Sequence, residues 1–249
     1  RGQQVHTELM RRLPRPVRVA ILETPAGFQP NVTVISSKLR AFFEQHLRNF
    51  QPAVSVVAAR QRGGIFDPDS TEVIRPLLDA HYIFAGPGSP TYMARHLEGT
   101  RTLELLLCRN AEGATLSFAS AAAISVGRFV LPVYEIYKVG DDLHWLPGLD
   151  LFAPLGLNLT VLPHWNNNEG GSELDTSHCF MGVERFRYLR RLLPAETTML
   201  AIDEHTACIL EPDEQSVRVM GAGTVNVISS TGETSFADGD YFGFELLRP

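Results

Sequence analysis

Residues 81–123, "HYIFAGPGSPTYMARHLEGTRTLELLLCRNAEGATLSFASAAA", decide the fold. The segment opens with an apolar strand pattern, His81–Gly86, that ends in the glycine-rich turn "GPGSP". Two helical patterns follow, around Tyr92–Leu97 and Leu103–Arg109, and Ala114–Phe118 then returns as a second apolar strand. Strand, helix, strand in this order predicts a parallel crossover. The second strand runs directly into "FASAAA", which sets a serine among alanines at a strand-to-helix corner.

The same alternation extends toward the N-terminus. Val17–Leu22, "VRVAIL", is a β-branched run of the kind buried on both faces of a parallel sheet. Val32–Phe50 places Ile35, Leu39, Phe42, Phe43 and Leu47 at helical spacing, with Lys38, Arg40, Glu44 and Arg48 as a polar face, and Ala53–Val57 follows as a strand. In "DPDSTEVIRPLLDA", Asp67 and Asp69 are candidate helix caps, and Pro76 shortens or kinks the helix. The C-terminal third is different. Thr198–Ile228 shows short alternating runs split by Pro212-Asp213, Gly221 and Gly223, which predicts hairpins and an antiparallel edge. The expected fold is α/β, a three-layer sandwich with a mostly parallel central sheet, formed as one domain over residues 1–249.

Composition narrows the function classes. With 44% hydrophobic and 20% charged residues the chain can bury a large core. Its formal charge of −6 is spread along the sequence, so neither nucleic acid nor an anionic membrane surface is an expected partner. Cys108, Cys179 and Cys208 show no paired spacing, which argues against a disulfide framework and a cysteine-built zinc site and favours a reducing cytoplasm. Cys108 is expected to be buried in its helix. No apolar run reaches the ~18 residues of a membrane span.

In an open parallel sheet, chemistry gathers at the carboxyl ends of the strands. Ser120 there is either a nucleophile lifted out of the sheet by an elbow or a helix cap. The small residues Ala119, Ala121, Ala122 and Ala123 suit an elbow, whereas Phe118 and Ala122 stand where glycines are usual. A nucleophile needs a base and an acid. In "LTVLPHWNNNEGG" an apolar run ends at Pro163-His164 before a polar loop, which makes His164 the candidate base, or else a structural loop histidine. In "MLAIDEHTA" Asp203 and Glu204 close another strand, and only one of two adjacent carboxylates on an extended chain can face a given imidazole.

The order and context of "FASAAA", "LPHWNNNEGG" leading into "GVERFRYLRRLL", and "LAIDEHTA" resemble the cyanophycinase and aspartyl dipeptidase (dipeptidase E) family of serine peptidases, whose fold is related to class I glutamine amidotransferases. The resemblance runs from about Val17 to Ile228. It aligns Phe118–Ala123 with a G-x-S-A-G-A elbow, Pro163-His164-Trp165 with a P-H-aromatic segment, and Ala201–Glu204 with a G-[IL]-x-E strand end, implying a Ser120, His164, Glu204 triad. "FAGPGSPTYMARHLEGT" resembles the family's "GGGN" turn and its "L-x-G-T" sequel, which implies an oxyanion-hole N–H at Gly88 beside that of Ala121. Arg185 matches a family arginine in the same place and is expected to brace the loop or meet a substrate carboxylate. The family's first strand would lie before Arg1. The implied substrate is a small peptide, acidic or β-aspartyl, with no cofactor, and a homodimer is compatible with the resemblance.

Other clusters leave alternatives open. Glu135 and Lys138 alternate with Tyr134, Ile136 and Tyr137 as in a strand with one wet face, where they either line a substrate pocket or form a surface ion pair. Trp165 and Asn166 are candidate substrate contacts beside His164, while Trp145 and Trp165 also suit a core. His164, Glu169, Asp175 and His178 include metal-ligand types but match no compact zinc spacing, so no metal is assigned. The rival functions are an amidotransferase-like scaffold that binds an amino-acid-like ligand without catalysis, and a metal-assisted hydrolase.

Overall fold

The computed structural model describes residues 2–248. Its contacts divide the described residues into two compact units, Gln3–Ala122, and Gly2 with residues 123–248.

The N-terminal unit is built on parallel strands. Helix α1 (Gly2–Met10) precedes β1 (Arg18–Leu22), α2 (Val32–His46), β2 (Ala53–Val57), α3 (Thr71–Ile74), β3 (Tyr82–Ala85), α4 (Pro90–Leu97), α5 (Arg101–Ala111) and β4 (Thr115–Phe118). The four strands form one parallel sheet in the order β2-β1-β3-β4. Strands β1 and β3 are central and almost continuously buried, which is why their sequences are apolar runs rather than alternations. Val19, Ile21, Phe43, Leu47, Tyr82 and Phe84 belong to one core cluster.

Local chemistry sets the helix starts. The Ser89 hydroxyl accepts from the Tyr92 N–H and Pro90 occupies the first turn of α4. Thr100 caps α5 through the Leu103 N–H. Pro76 acts as expected, since α3 ends at Ile74 and passes into a 3-10 turn, Arg75–Leu77.

Two expectations are corrected here. Asp67 and Asp69 do not cap α3, which starts after Ser70 without a side-chain cap. Asp67 instead accepts from its own loop, at the N–H groups of Gly63 and Asp69, and Asp69 accepts from Arg101 N–H at 2.7 Å. Cys108 is exposed rather than buried. The buried side of α5 carries Thr102 and Leu106, and two residues beyond Leu106 is roughly 200° around the helix.

The chain continues through α6 (Ala121–Ser125), β5 (Phe129–Val130), β6 (Leu146–Pro147), β7 (Leu159–Leu162), α7 (Gly182–Leu192), β8 (Thr198–Ile202), β9 (Thr206–Glu211), β10 (Ser216–Gly221), β11 (Val225–Ser229), β12 (Gly232–Phe236) and β13 (Tyr241–Gly243). In the C-terminal unit, β7 and β8 pair parallel, and β11 and β12 extend that sheet antiparallel in the order β12-β11-β8-β7. Strands β13-β10-β9 form a separate antiparallel sheet. The expected hairpins are therefore present, divided between a sheet extension and a second sheet. Leu157, Leu200, Val217, Val227, Phe242 and Phe244 share the core between these strands.

The wet strand expected around Glu135 and Lys138 is corrected. Glu135–Val139 is a single widened helical turn closed by left-handed Gly140. Glu135 and Lys138 are three residues apart, a separation that puts them on one face of a helical turn but on opposite faces of a strand, and Gly140 supplies the stop. Among the described residues no helix is long and apolar enough to cross a membrane.

Candidate active site

Ser120 lies between β4 and α6 with φ +54°, a left-handed conformation that is rare for residues other than glycine. Backbone contacts impose it. The Ala119 N–H donates to Ala85 O at 3.0 Å, continuing the β3–β4 pairing, and the Ala122 N–H turns back to Ala119 O at 3.2 Å. Ala121, Ala122 and Ala123 are buried, so the corner admits only small side chains. A left-handed serine at a crowded strand-to-helix turn is the geometry of a nucleophile elbow. Here Phe118 and Ala122 stand in place of the usual glycines.

Gly88 lies in the adjacent turn after β3. A Cβ at Gly88 would come 1.9 Å from the Pro25 carbonyl oxygen, so only glycine fits. The neighbouring Ser89 N–H donates to that same oxygen at 2.8 Å. The Gly86 carbonyl accepts from the Ala122 N–H at 3.4 Å, which ties this turn to the elbow.

In the C-terminal unit, His164 follows β7 and Glu204 follows β8. His164 is also left-handed, with φ +58°. Its Nδ1 lies 3.0 Å from Glu204 Oε1. A carboxylate can only accept, so it selects the tautomer in which Nδ1 carries the proton. Side chains fix the carboxylate in turn. Asn167, buried at 3% exposure, donates Nδ2–H to Glu204 Oε1 at 2.8 Å, and Asn166 Oδ1 accepts the Glu204 N–H at 2.8 Å. The Asn167 amide and then the His164 imidazole hold the Glu204 carboxyl below the usual carboxylate range. Asp203 takes no part, because its carboxylate accepts the Thr224 N–H and hydroxyl at 2.8 and 3.0 Å.

The segment behind His164 is unusual. His178, Cys179 and Phe180 are consecutive left-handed residues, with φ of +55°, +59° and +68°. The Arg185 guanidinium fastens them by donating to Met181 O at 2.6 Å and Phe180 O at 3.1 Å. The Phe180 ring contacts the His164 ring at 5.5 Å and the Tyr137 ring at 5.8 Å, and Arg185 lies 5.9 Å above Tyr137. Trp165 packs edge-on against His178 and Phe186, at 4.1 and 4.8 Å. Lys138 lies 4.6 Å over Tyr137, while one oxygen of Glu135 is buried without a hydrogen-bond partner.

Asp175 and His178 are engaged elsewhere. Asp175 accepts from the Ser177 hydroxyl at 2.6 Å and from the N–H groups of Ser177 and Val183, and these bonds, led by the hydroxyl, hold its carboxyl low. His178 Nδ1 lies 2.7 Å from the Ser177 hydroxyl, and burial lowers its pKa. Among the described residues no group of three or more histidines, cysteines or carboxylates is placed to hold a metal ion. Burial pushes the Cys179 thiol up to about 12.

The structure thus joins His164 to Glu204 and sets Ser120 in an elbow beside the Gly88 turn. Sequence reasoning missed Asn167, although the triple asparagine after His164 is a visible signal of side chains able to hold a loop.

No family model and no curated protein matches the chain. Among solved structures, a peptidase from an acI-B1 Actinobacterium is similar, with a TM-score of 0.75 and 18% identity over 97% of this chain and 91% of that one. A protein provisionally named Peptidase E from Listeria monocytogenes EGD-e aligns with a TM-score of 0.50 and 15% identity over 94% and 92%. At these identities the likeness is one of fold, and the fold of this chain is that of the actinobacterial peptidase.

Proposed function

We propose that the protein is a serine-type hydrolase of small peptide or amide substrates, with Ser120 as nucleophile, His164 as base and Glu204 as the acid that orients it. The observation that carries this reading is the left-handed Ser120 at the end of β4. A non-glycine residue in this conformation costs about 1–2 kcal/mol, and such strain persists where the surrounding structure imposes it, most often at functional sites.

In this mechanism the Ser120 hydroxyl oxygen attacks the substrate carbonyl while His164 Nε2 takes the hydroxyl proton. The carbonyl electron pair moves onto oxygen, where the N–H groups of Ala121 and Gly88 receive the negative charge. Collapse breaks the C–N bond, and the imidazolium returns its proton to the leaving amine. Water, deprotonated by the same imidazole, then releases the acyl group and restores Ser120. Glu204 stays ionised throughout and stabilises the imidazolium. The cations Lys138 and Arg185 beside Tyr137 support an acidic or β-aspartyl peptide, and the buried, unpartnered oxygen of Glu135 supports a substrate ammonium group.

Intact-mass spectrometry after exposure to a small fluorophosphonate tests this reading. A single adduct is expected on the native chain and none on Ser120→Ala or His164→Ala. Absence of an adduct on folded native protein, with probes of two sizes, would replace the hydrolase reading with that of a ligand-binding scaffold.

A further inference from the structure

Glu23, at the carboxyl end of β1, is 4% exposed. Both its oxygens are engaged, Oε1 by the Ser36 hydroxyl at 2.6 Å and Oε2 by Arg60 Nε at 2.8 Å. Arg60 follows β2 and is fixed on other sides too. Its guanidinium lies 3.9 Å from the Phe66 ring centroid, and its N–H donates to Phe66 O at 2.9 Å. Its carbonyl oxygen would be 2.4 Å from a Cβ at Gly27. The Arg60 side chain keeps 16% of its exposure, and its ion pair uses Nε alone. Four N–H donors on the two terminal nitrogens lie outside that pair, in the planar fork that matches a carboxylate.

The strand order brings this arginine to the elbow's ledge. Across β2-β1-β3-β4, the carboxyl ends carry Arg60, Glu23, the Gly86–Gly88 turn and Ser120 in succession. Neighbouring ends are bonded to each other, Thr24 hydroxyl to Ala59 O, Ser89 N–H to Pro25 O, and Ala122 N–H to Gly86 O. Three strand spacings make about 14 Å. An extended dipeptide covers about 7 Å of that, and the two side chains cover the remainder.

We propose that Arg60 takes a carboxylate of the peptide substrate, with Glu23 as the positioning residue that aims its guanidinium. The proposal rests on Ser120 being the nucleophile, since that places the substrate on this ledge. The carboxylate is either the C-terminal one or an acidic side chain, and the experiment separates the two.

Calorimetric binding is measured with Ser120→Ala protein, which cannot turn substrate over, using L-aspartyl-L-leucine, its C-terminal amide, and L-asparaginyl-L-leucine. Neutralising one of the two carboxylates is expected to weaken binding by about tenfold or more. In Ser120→Ala/Arg60→Gln the same change is expected to cost less than about twofold, and the peptide that shows the loss identifies the carboxylate. Equal binding of all three peptides, no binding of any, or a penalty that survives Arg60→Gln overturns the proposal. Circular dichroism checks folding, and if Arg60→Gln does not fold, Arg60→Lys, which keeps the charge but loses the fork, must reduce the penalty. Fluorophosphonate labelling of the native chain is read separately. An unlabelled serine with carboxylate-dependent binding defeats the hydrolase reading and leaves Arg60 a carboxylate contact for a ligand that is not turned over, whereas a labelled serine without that dependence defeats the Arg60 proposal alone.

Discussion

The two compact units hold their candidate catalytic residues in the same rare backbone conformation by different means. Ser120, at φ +54°, is set by main-chain hydrogen bonds from Ala119 and Ala122 and by buried alanines. His164, at φ +58°, is aimed by side chains, Glu204 directly and Asn166 and Asn167 through Glu204. A position written into the backbone survives truncation of its side chain. One written into a side-chain network fails when any member is removed.

The largest expected effect tests the first half of that contrast. Ser120→Ala should lower kcat by at least about 10³-fold while thermal unfolding stays near that of the native chain, because main-chain bonds hold the turn in either case. A large drop in melting temperature would show that the serine side chain builds the corner. Glu204→Gln tests the second half. It should lower kcat by about 10²- to 10⁴-fold, since an amide can present an N–H to Nδ1 and select the wrong tautomer. The carboxyl of Glu204 is held low, so its stabilising contribution is present above the unfolded value near pH 4.5 and is lost as pH falls through the folded one. Acid titration of the native chain should therefore cost more stability below about pH 4.5 than titration of Glu204→Gln, by any unfolding probe.

The units also differed in how far their sequences could be read. In the N-terminal unit a buried parallel strand is an unbroken apolar run, so Tyr82–Ala85 is found within the residues expected, the edge strand Ala53–Val57 stands where it was expected, and Ser120 falls at the expected corner. Proline at 76 and the small residues around Ser120 act through local sterics, which sequence shows directly. In the C-terminal unit the outcome depends on long-range partners. Nothing in "AIDEH" says that Thr224, 21 residues away, takes Asp203 and leaves Glu204 for His164. The spacing of three between Glu135 and Lys138, by contrast, is local and itself points to a helical turn. The burial of Glu23 against Arg60 joins residues 37 apart in sequence, and no local pattern announces it.

His6 offers a way to break the contrast, because it is a polar side chain on which the N-terminal unit does rely. Its Nδ1 lies 2.7 Å from the Tyr82 hydroxyl, and its ring meets Phe42, Phe43, Tyr82 and Phe84 at 5.3 to 5.9 Å. Burial lowers its pKa to about 4. Below the unfolded value of about 6.5 the unfolded chain takes up a proton that the folded one refuses, so stability falls from pH 6.5 toward pH 4. The loss should be about 3 kcal/mol by denaturant unfolding at the two pH values, and His6→Leu should remove most of it. An unchanged slope in that variant would mean that α1 is held without His6.

Asn167 sharpens the other side. It touches neither reacting group, yet its amide is the leading cause of the low Glu204 carboxyl. Asn167→Ala should lower kcat about 10- to 100-fold with KM little changed, the cost of one hydrogen bond to a charged group, and should move the acid limb of the pH profile upward. A purely structural asparagine would change melting temperature without moving that limb.

The smallest effect compares the two left-handed residues on equal terms. Glycine removes the steric cost of a left-handed residue, about 1–2 kcal/mol, at the expense of about 0.5–1 kcal/mol in unfolded-chain entropy. At Ser120, where main-chain bonds hold the turn, Ser120→Gly should therefore stabilise the fold by up to about 1 kcal/mol. His164→Gly gains the same relief but discards the imidazole that accompanies Glu204, a loss of about 1.5–3 kcal/mol, so the net change should be destabilising. Opposite signs in paired denaturant titrations would establish that one corner is held by the backbone and the other by its side chains. Equal signs would mean that the two are held alike, and that the Glu204 network serves orientation during catalysis without contributing to the fold.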